Sequence, residues 1–175
     1  MDFSKDIAIV GNGASRLSLK DEILQFSHIW VCNEGYKDFP HVERVYSVHD
    51  WVLEEAKKFF STFHEKPLLI GRNAPPADSV FFLDLGWSTG NQALLDALLS
   101  QEENSGEKVY LYGFDFGGED AYKSYPLEGS NFRKQFNTLK SKVYKFEERL
   151  ELRYPKDWRN YGKENFYFHD GRWVF

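Results

Sequence analysis

The chain has few of the residues that mark secreted, zinc-binding or membrane proteins. Its 175 residues include one cysteine, Cys32, which excludes an internal disulfide, and no Cys/His spacing is typical of a zinc site. No apolar run approaches the roughly 20 residues of a membrane span. Charged residues near the start, followed by only a short apolar run, argue against a signal peptide. We therefore expect a cytoplasmic protein without a bound metal or a membrane span.

Charge is unevenly distributed along the chain, whose net charge is −5. Positions 131–175 hold 11 basic and 6 acidic residues, whereas positions 1–130 hold 11 basic and 21 acidic ones. This asymmetry hints at an anionic partner near the C-terminal part, although a solvated helix face with its usual lysines explains it slightly better. Aromatic residues make up 18% of the chain, which indicates either a ring-stacking site or an aromatic core.

Short apolar runs alternate with segments of helical periodicity. Strands are predicted at 6–10, 29–32, 45–48, 68–71, 80–83 and 109–112, and helices at 20–26, 51–63, 89–100 and 131–152. Asp50 is expected to cap the second helix, and the aromatic last 23 residues are expected to form short strands or an ordered tail. This alternation predicts one α/β domain over 1–175, with a Rossmann-like, doubly wound, mainly parallel sheet and helices on both faces.

The most informative segment follows the first predicted strand. Gly11, Asn12, Gly13 and Ser15 form a glycine-rich turn before a helix, an arrangement that presents backbone N–H groups to a phosphate. The third glycine of a dinucleotide fingerprint is missing. The turn therefore predicts an anion site without specifying its ligand.

Polar residues also follow the other predicted strands. Each has an ordinary explanation as a turn former, a surface histidine, a helix cap or an acceptor for loop N–H groups. Together at one sheet edge they favour a nucleotide with one or two phosphates. The residues are Asn33, Glu34, His49, Asp50, Ser88, Thr89, Gly90 and Asp115.

Four short motifs in order resemble those of small bacterial and phage sialyltransferase-like glycosyltransferases. They read Gly-Asn-Gly-Ala-Ser, Cys-Asn-Glu-Gly-Tyr, Ser-Thr-Gly and Gly-Phe-Asp-Phe, within positions 7–116. The resemblance implies that a nucleotide-sugar donor contacts Asn12, Asn33, Ser88, Thr89 and Gly90. It also implies phosphate-binding tyrosines and a histidine base further along. Tyr122 and Tyr125 match the tyrosines, and His169 is the only downstream histidine.

These observations predict a metal-independent glycosyltransferase that needs no cofactor and uses a CMP- or UDP-linked sugar. We expect the Gly13 and Gly90 N–H groups and the Ser88 and Thr89 hydroxyls to stabilise the leaving phosphate. Asp115 is the first candidate for the general base because it ends the central strand. The other candidates for the base are His49, Asp50 and His169.

The acceptor and the activity itself stay open at this point. The resemblance suggests a glycan acceptor, whereas the basic C-terminal part allows a hydroxymethylated base in phage DNA. An NAD-binding protein is a second possibility, with Glu34 placed to hold a ribose. A third is a non-catalytic nucleotide-binding protein. The sequence does not predict the oligomeric state.

Overall fold

A computed structural model describes residues 3–39, 41–72, 88–115, 121, 129–157, 168–169 and 172–173. Its centre is a six-stranded sheet in which every neighbouring pair is parallel. The strands are β1 (Ile7–Val10), β2 (His28–Cys32), β3 (Arg44–Tyr46), β4 (Leu68–Ile70), β5 (Val109–Tyr112) and β6 (Leu150–Arg153). Their spatial order is β4-β3-β2-β1-β5-β6. The predicted Rossmann-like, doubly wound parallel sheet is confirmed.

Helices connect most of these strands. They are α1 (Lys20–Ile23), α2 (Asp50–Phe59), α3 (Thr89–Ser100) and α4 (Gly129–Lys142). Two 3-10 segments, Ala14–Leu19 and Asn33–Lys37, follow β1 and β2. A separate hairpin pairs β7 (Phe168–His169) with β8 (Arg172–Trp173), which confirms short strands in the aromatic tail. Among the described residues, no helix is both long and apolar enough to cross a membrane.

The core lies on both faces of the sheet, as the buried apolar strands require. On one face, Leu94 and Leu98 of α3 and Phe136 of α4 pack in a cluster with Ile9 and Leu111. On the other face, α1 and α2 contribute a second cluster around the opposite side chains of the same strands. Helices therefore cover both faces, and the carboxyl ends of the strands form one edge.

The predicted helix 131–152 is wrong in its C-terminal part. Helix α4 ends at Lys142, and β6 begins at Leu150. Lys145, beyond this end, has a φ of 50°, a left-handed conformation through which a regular helix does not continue. Phe146 packs edge-on against Phe136, with ring centroids 5.1 Å apart. This apolar residue therefore packs onto the core from the turn after α4, and not from a continuing helix.

Smaller corrections concern helix starts. Asp50 does not cap α2: it is the first helical residue, and His49 is the cap residue, without a side-chain cap bond. The predicted helix 20–26 is one α-turn, α1, preceded by the Ala14–Leu19 segment. The predicted strand 80–83 lies outside the described residues.

Candidate functional site

Two turns meet where the strand order reverses. Chain connections lead from β1 to β2 on one side and from β5 to β6 on the other, so the switch point lies between β1 and β5. In open α/β sheets this is where a ligand binds, outside the carboxyl ends of the strands. The turns after β1 and β5 therefore occupy the position that the sequence predicted for a site.

Three glycines allow these two turns to touch. The Gly11 N–H donates to the Tyr112 carbonyl at 2.7 Å, and the Gly13 N–H donates to the Gly113 carbonyl at 2.8 Å. A Cβ on Gly13 would lie 2.5 Å from that carbonyl oxygen and in collision with the Asp115 carboxylate. Gly113 itself has a φ of 70°. Glycine is thus required here for backbone packing between β1 and β5.

The Asp115 carboxylate occupies the N-terminal end of the segment that follows β1. Its Oδ2 accepts the Ser15 N–H at 3.1 Å, and its Oδ1 accepts the Ser15 hydroxyl. The Gly13 N–H is already donated to a carbonyl. The chain's own acceptors therefore use the N–H groups of this turn, and a contact between the Gly13 N–H and a ligand phosphate stays a prediction.

Burial raises the pKa of Asp115 to about 6, while the two hydrogen bonds from Ser15 and the nearby Arg16 guanidinium act in the opposite direction. Arg16 is itself buried and lies 3.0 Å from the Asp38 carboxylate. Asp115 is 2% exposed. It is thus a largely enclosed carboxyl group whose pKa lies well above that of an ordinary aspartate.

Asn12 lies at the same switch point and is 5% exposed. Neither Oδ1 nor Nδ2 of its amide has a hydrogen-bond partner among the described residues. Its main-chain carbonyl accepts the Ala121 N–H at 2.7 Å, which holds the backbone in place. A buried amide without partners is costly, so this side chain has unused capacity to bond a ligand.

A second group of predicted residues lies at the ends of β2 and β3. Asn33, with a φ of 52°, accepts the Ser47 hydroxyl at 2.8 Å through Oδ1. The Ser47 Oγ in turn accepts the His49 N–H at 3.1 Å. Glu34 is buried, with its carboxylate 3.2 Å from the Lys37 ammonium. The end of β2 is thus bonded to the end of β3.

Helix α3 begins beside these strand ends. The Ser88 Oγ caps it by accepting the Asn91 N–H at 3.4 Å and the Asn91 Nδ2 at 2.9 Å. The Thr89 Oγ1 accepts the Val48 N–H at 3.3 Å, which ties the helix start to the end of β3. Gln135 of α4 contributes its Oε1 as acceptor for the Ser88 N–H at 2.8 Å.

The structure thus places most of the predicted residues at one edge. Ser15 donates to Asp115, and the N–H groups of Gly11 and Gly13 donate to the carbonyls of Tyr112 and Gly113. The Ser47 hydroxyl bonds both Asn33 and the His49 N–H, and the Thr89 hydroxyl accepts the Val48 N–H. Asp50 is exposed at the start of α2. His169 is part of β7, which among the described strands pairs with β8 alone. Tyr122 and Tyr125 lie outside the described residues.

Sequence reasoning missed Ser47, Arg16 and Gln135. Ser47 follows β3 and was open to the same strand-end argument. Arg16 and Gln135 sit on helical segments without a local motif, and only the packing of those segments brings them to the edge. Within the described ranges, no cluster of three or more His, Cys, Asp or Glu side chains is placed to hold a metal ion.

Comparisons of the chain with models of protein families, with curated proteins and with solved structures found no match. The functional conclusion therefore depends on the fold and on the residues described above.

Proposed function

We propose that the protein binds a nucleotide-activated sugar at the carboxyl edge of its sheet and transfers the sugar to an acceptor hydroxyl. The observation that carries the proposal is the buried Asn12 amide at the switch point, whose oxygen and nitrogen both lack partners among the described residues. A ligand with adjacent donor and acceptor groups would satisfy both atoms. The order of the four sequence motifs supports a glycosyltransferase in particular.

The phosphate of the donor is assigned to the start of α3. The first N–H groups of a helix have no acceptor within the helix and attract anions. Ser88 and Gly90 are half-buried there, and the first turn of α3 contains no acidic residue. The turn after β1 is the weaker location because Asp115 already occupies it.

In the proposed reaction, the acceptor oxygen attacks the anomeric carbon of the sugar. The bond from this carbon to the phosphate oxygen breaks, and its electron pair leaves with the nucleotide. A base takes the acceptor proton. Asp115 stays the first candidate because its pKa of about 6 is close to working pH. His49, half-buried at the end of β3, is the more accessible alternative.

A glycan is the preferred acceptor over modified DNA. Two lysines of the basic region lie beside carboxylates on the surface: Lys140 is 2.6 Å from Glu147, and Lys145 is 4.0 Å from Glu148. This pairing reduces the positive potential that a phosphate backbone requires. Saturable binding of a DNA duplex at low salt, lost as salt is raised, would reverse this preference.

Ligand binding tests the proposal directly. Titration calorimetry with CMP, UMP and their sugar conjugates is expected to show binding that Asn12→Ala and Ser88→Ala each weaken at least about tenfold. Ser100→Ala is the matched control, because Ser100 bonds the Ala97 carbonyl at the opposite end of α3. Unchanged affinity in both site variants would refute the site.

A non-catalytic nucleotide-binding protein is the second candidate, favoured by the enclosure of Asp115 behind Ser15. Such a protein binds the nucleotide but releases none from a sugar donor, with or without acceptor. An NAD-binding protein is less favoured because the N–H groups of Gly13 and Ser15 are donated within the chain and Glu34 is paired with Lys37.

A further inference from the structure

A buried hydroxyl connects the ends of β2 and β3. Ser47 is 0% exposed, and its Oγ takes part in two hydrogen bonds. It accepts the His49 N–H at 3.1 Å and donates to the Asn33 Oδ1 at 2.8 Å. The main chain of Ser47 is fixed as well, because its N–H donates to the Ile70 carbonyl at 3.0 Å. The Ser47 hydroxyl is thus held at a point from which it orients the side chain of Asn33.

The direction of these hydrogen bonds determines which way round the Asn33 amide lies. A main-chain N–H only donates, so the Ser47 Oγ is the acceptor towards His49. The single Ser47 proton then needs an acceptor of its own, because a buried hydroxyl proton without one is costly. The Asn33 Oδ1 is that acceptor. If the amide were turned round, its Nδ2 would face the hydroxyl and the Ser47 proton would lose this partner.

This orientation leaves the Nδ2 of Asn33 as a donor at the carboxyl edge of the sheet. Asn33 is half-buried, and its Nδ2 has no hydrogen-bond partner among the described residues. The start of α3 is close by, because the Thr89 Oγ1 accepts the N–H of Val48, the residue after Ser47. Two consecutive residues of one turn therefore join Asn33 on one side and the start of α3 on the other.

We propose that Ser47 is a positioning residue: it fixes the Asn33 amide so that the site presents a donor, and not an acceptor, to the ligand. The group that fits this donor is an oxygen without a proton, as in a phosphate or a base carbonyl. A ligand hydroxyl, which both donates and accepts, would bind either orientation of the amide and would need no such fixing. This inference rests on the proposed nucleotide site.

Asn33→Asp reverses the polarity of this position. Aspartate also tolerates a left-handed backbone, and its carboxylate still accepts the Ser47 hydroxyl. Its second oxygen replaces the Nδ2 donor and repels an acceptor oxygen of the ligand. The matched control is Asn104→Asp. Asn104 is an exposed amide in the loop between α3 and β5, so its replacement adds the same charge at the opposite edge of the sheet.

The experiment measures the binding of CMP, UMP, cytidine and uridine to the full chain by titration calorimetry. We expect Asn33→Asp to weaken the binding of CMP and UMP at least about tenfold. If the contact is to the phosphate, cytidine and uridine keep their affinity; if it is to a base carbonyl, they lose the same factor. Asn104→Asp should leave every affinity near that of the wild type. An unchanged or higher affinity in Asn33→Asp would overturn the proposal, because the ligand would then present no acceptor to Asn33.

A double-mutant cycle separates positioning by Ser47 from a structural role alone. Ser47→Ala should weaken nucleotide binding about fivefold, because the Asn33 amide is no longer held in one orientation. Asn33→Gly removes the amide and keeps the backbone, since glycine adopts the φ of 52° without strain. In the Asn33→Gly background, Ser47→Ala should change the affinity by less than about twofold. Equal losses in both backgrounds would overturn the proposal, because Ser47 would then act on the fold and not through Asn33.

Lys145→Gly is the control for the glycine variant, because Lys145 is an exposed residue with a similar φ of 50°. It should leave all affinities unchanged. Melting temperatures of the same samples show that each variant is folded during the titration. Nucleotide binding that none of the Ser47 and Asn33 variants affects would overturn the role of Ser47 and leave the nucleotide site intact. A wild type that binds none of the four ligands would instead overturn the proposed function, and this inference with it.

Discussion

Ser15 and Asp115 are 100 residues apart in the sequence and form one hydrogen-bonded unit. The Ser15 N–H and hydroxyl each donate to a different oxygen of the Asp115 carboxylate. The unit joins the turn after β1 to the turn after β5 at the switch point of the sheet. Asp115 is buried and burial raises its pKa, so this contact encloses a titratable carboxyl group between the two turns.

Gly13 is expected to tolerate no side chain. A methyl group there would collide with the Asp115 carboxylate and lie 2.5 Å from the Gly113 carbonyl oxygen. Gly13→Ala should lower the free energy of unfolding by about 2–3 kcal/mol, as overpacked sites do. Urea denaturation monitored by circular dichroism measures the change.

Gly106→Ala is the control for this prediction. Gly106 has a φ of 80°, but an added Cβ would meet nothing within 4 Å. Its replacement should lower the free energy of unfolding by only about 1 kcal/mol, because a residue with a side chain is strained in a left-handed conformation. A Gly13→Ala variant as stable as Gly106→Ala, or more stable, would contradict the close packing of the two turns.

The stability of the protein should depend on the ionisation of Asp115. Its pKa is raised to about 6 in the folded state, so ionisation opposes folding. The stabilisation by the protonated form is fully present below the pKa that Asp115 has in the unfolded chain. It is lost as pH rises through the folded-state pKa of about 6. The shift corresponds to a loss on the order of 3 kcal/mol.

Asp115→Asn isolates this effect. The free energy of unfolding of the wild type, minus that of Asp115→Asn, should fall between about pH 4 and about pH 7, because only the wild type has the titrating carboxyl. Urea melts of both proteins across this range give the difference. A constant difference, or one that grows with pH, would show that burial does not raise the pKa of Asp115.

Ser15→Ala should raise the pKa of Asp115 further. The Ser15 hydroxyl donates to the carboxylate and favours its charged form, so its removal leaves the effect of burial less opposed. The carboxyl carbon signal of Asp115, followed by NMR during a pH titration, reports the change. The control is Ser61→Ala, because the Ser61 hydroxyl bonds the exposed Lys58 carbonyl and should not affect Asp115. A lower pKa in Ser15→Ala would contradict the assigned hydrogen bond.

Local signals account for the elements that the sequence predicted with correct bounds. Helix α3 begins at Thr89 because Ser88 is a strong cap residue, and a segment rich in alanine and leucine follows. Strand β5 ends at Tyr112 because Gly113 adopts a positive φ. In both cases the residues that define the element lie within or beside it.

Contacts distant in sequence account for the errors and omissions. The bond between Ser15 and Asp115 exists only because β5 pairs with β1, a strand order that no local pattern specifies. Strand β6 was not predicted, because Phe146 lies at a position that fits helical spacing although the helix has already ended. The Gly-Asn-Gly turn was correctly placed at the switch point, but sequence spacing could not show that a carboxylate fills it.

Catalysis provides the last test of Asp115. If the buried carboxylate takes the acceptor proton, Asp115→Asn should reduce kcat for nucleotide release from a sugar donor by about 100-fold or more. In the wild type, kcat should fall as pH is lowered through about 6, because the protonated carboxyl accepts no proton. Chromatographic measurement of released CMP or UMP gives both results.

The control is Asp50→Asn, which removes an exposed carboxylate at the start of α2 and should change kcat little if Asp115 is the base. His49→Gln tests the accessible alternative on the neighbouring strand end. If Asp115→Asn keeps wild-type kcat while His49→Gln loses it, the base is His49, and Asp115 acts on the site only by holding Ser15 and the turn after β1.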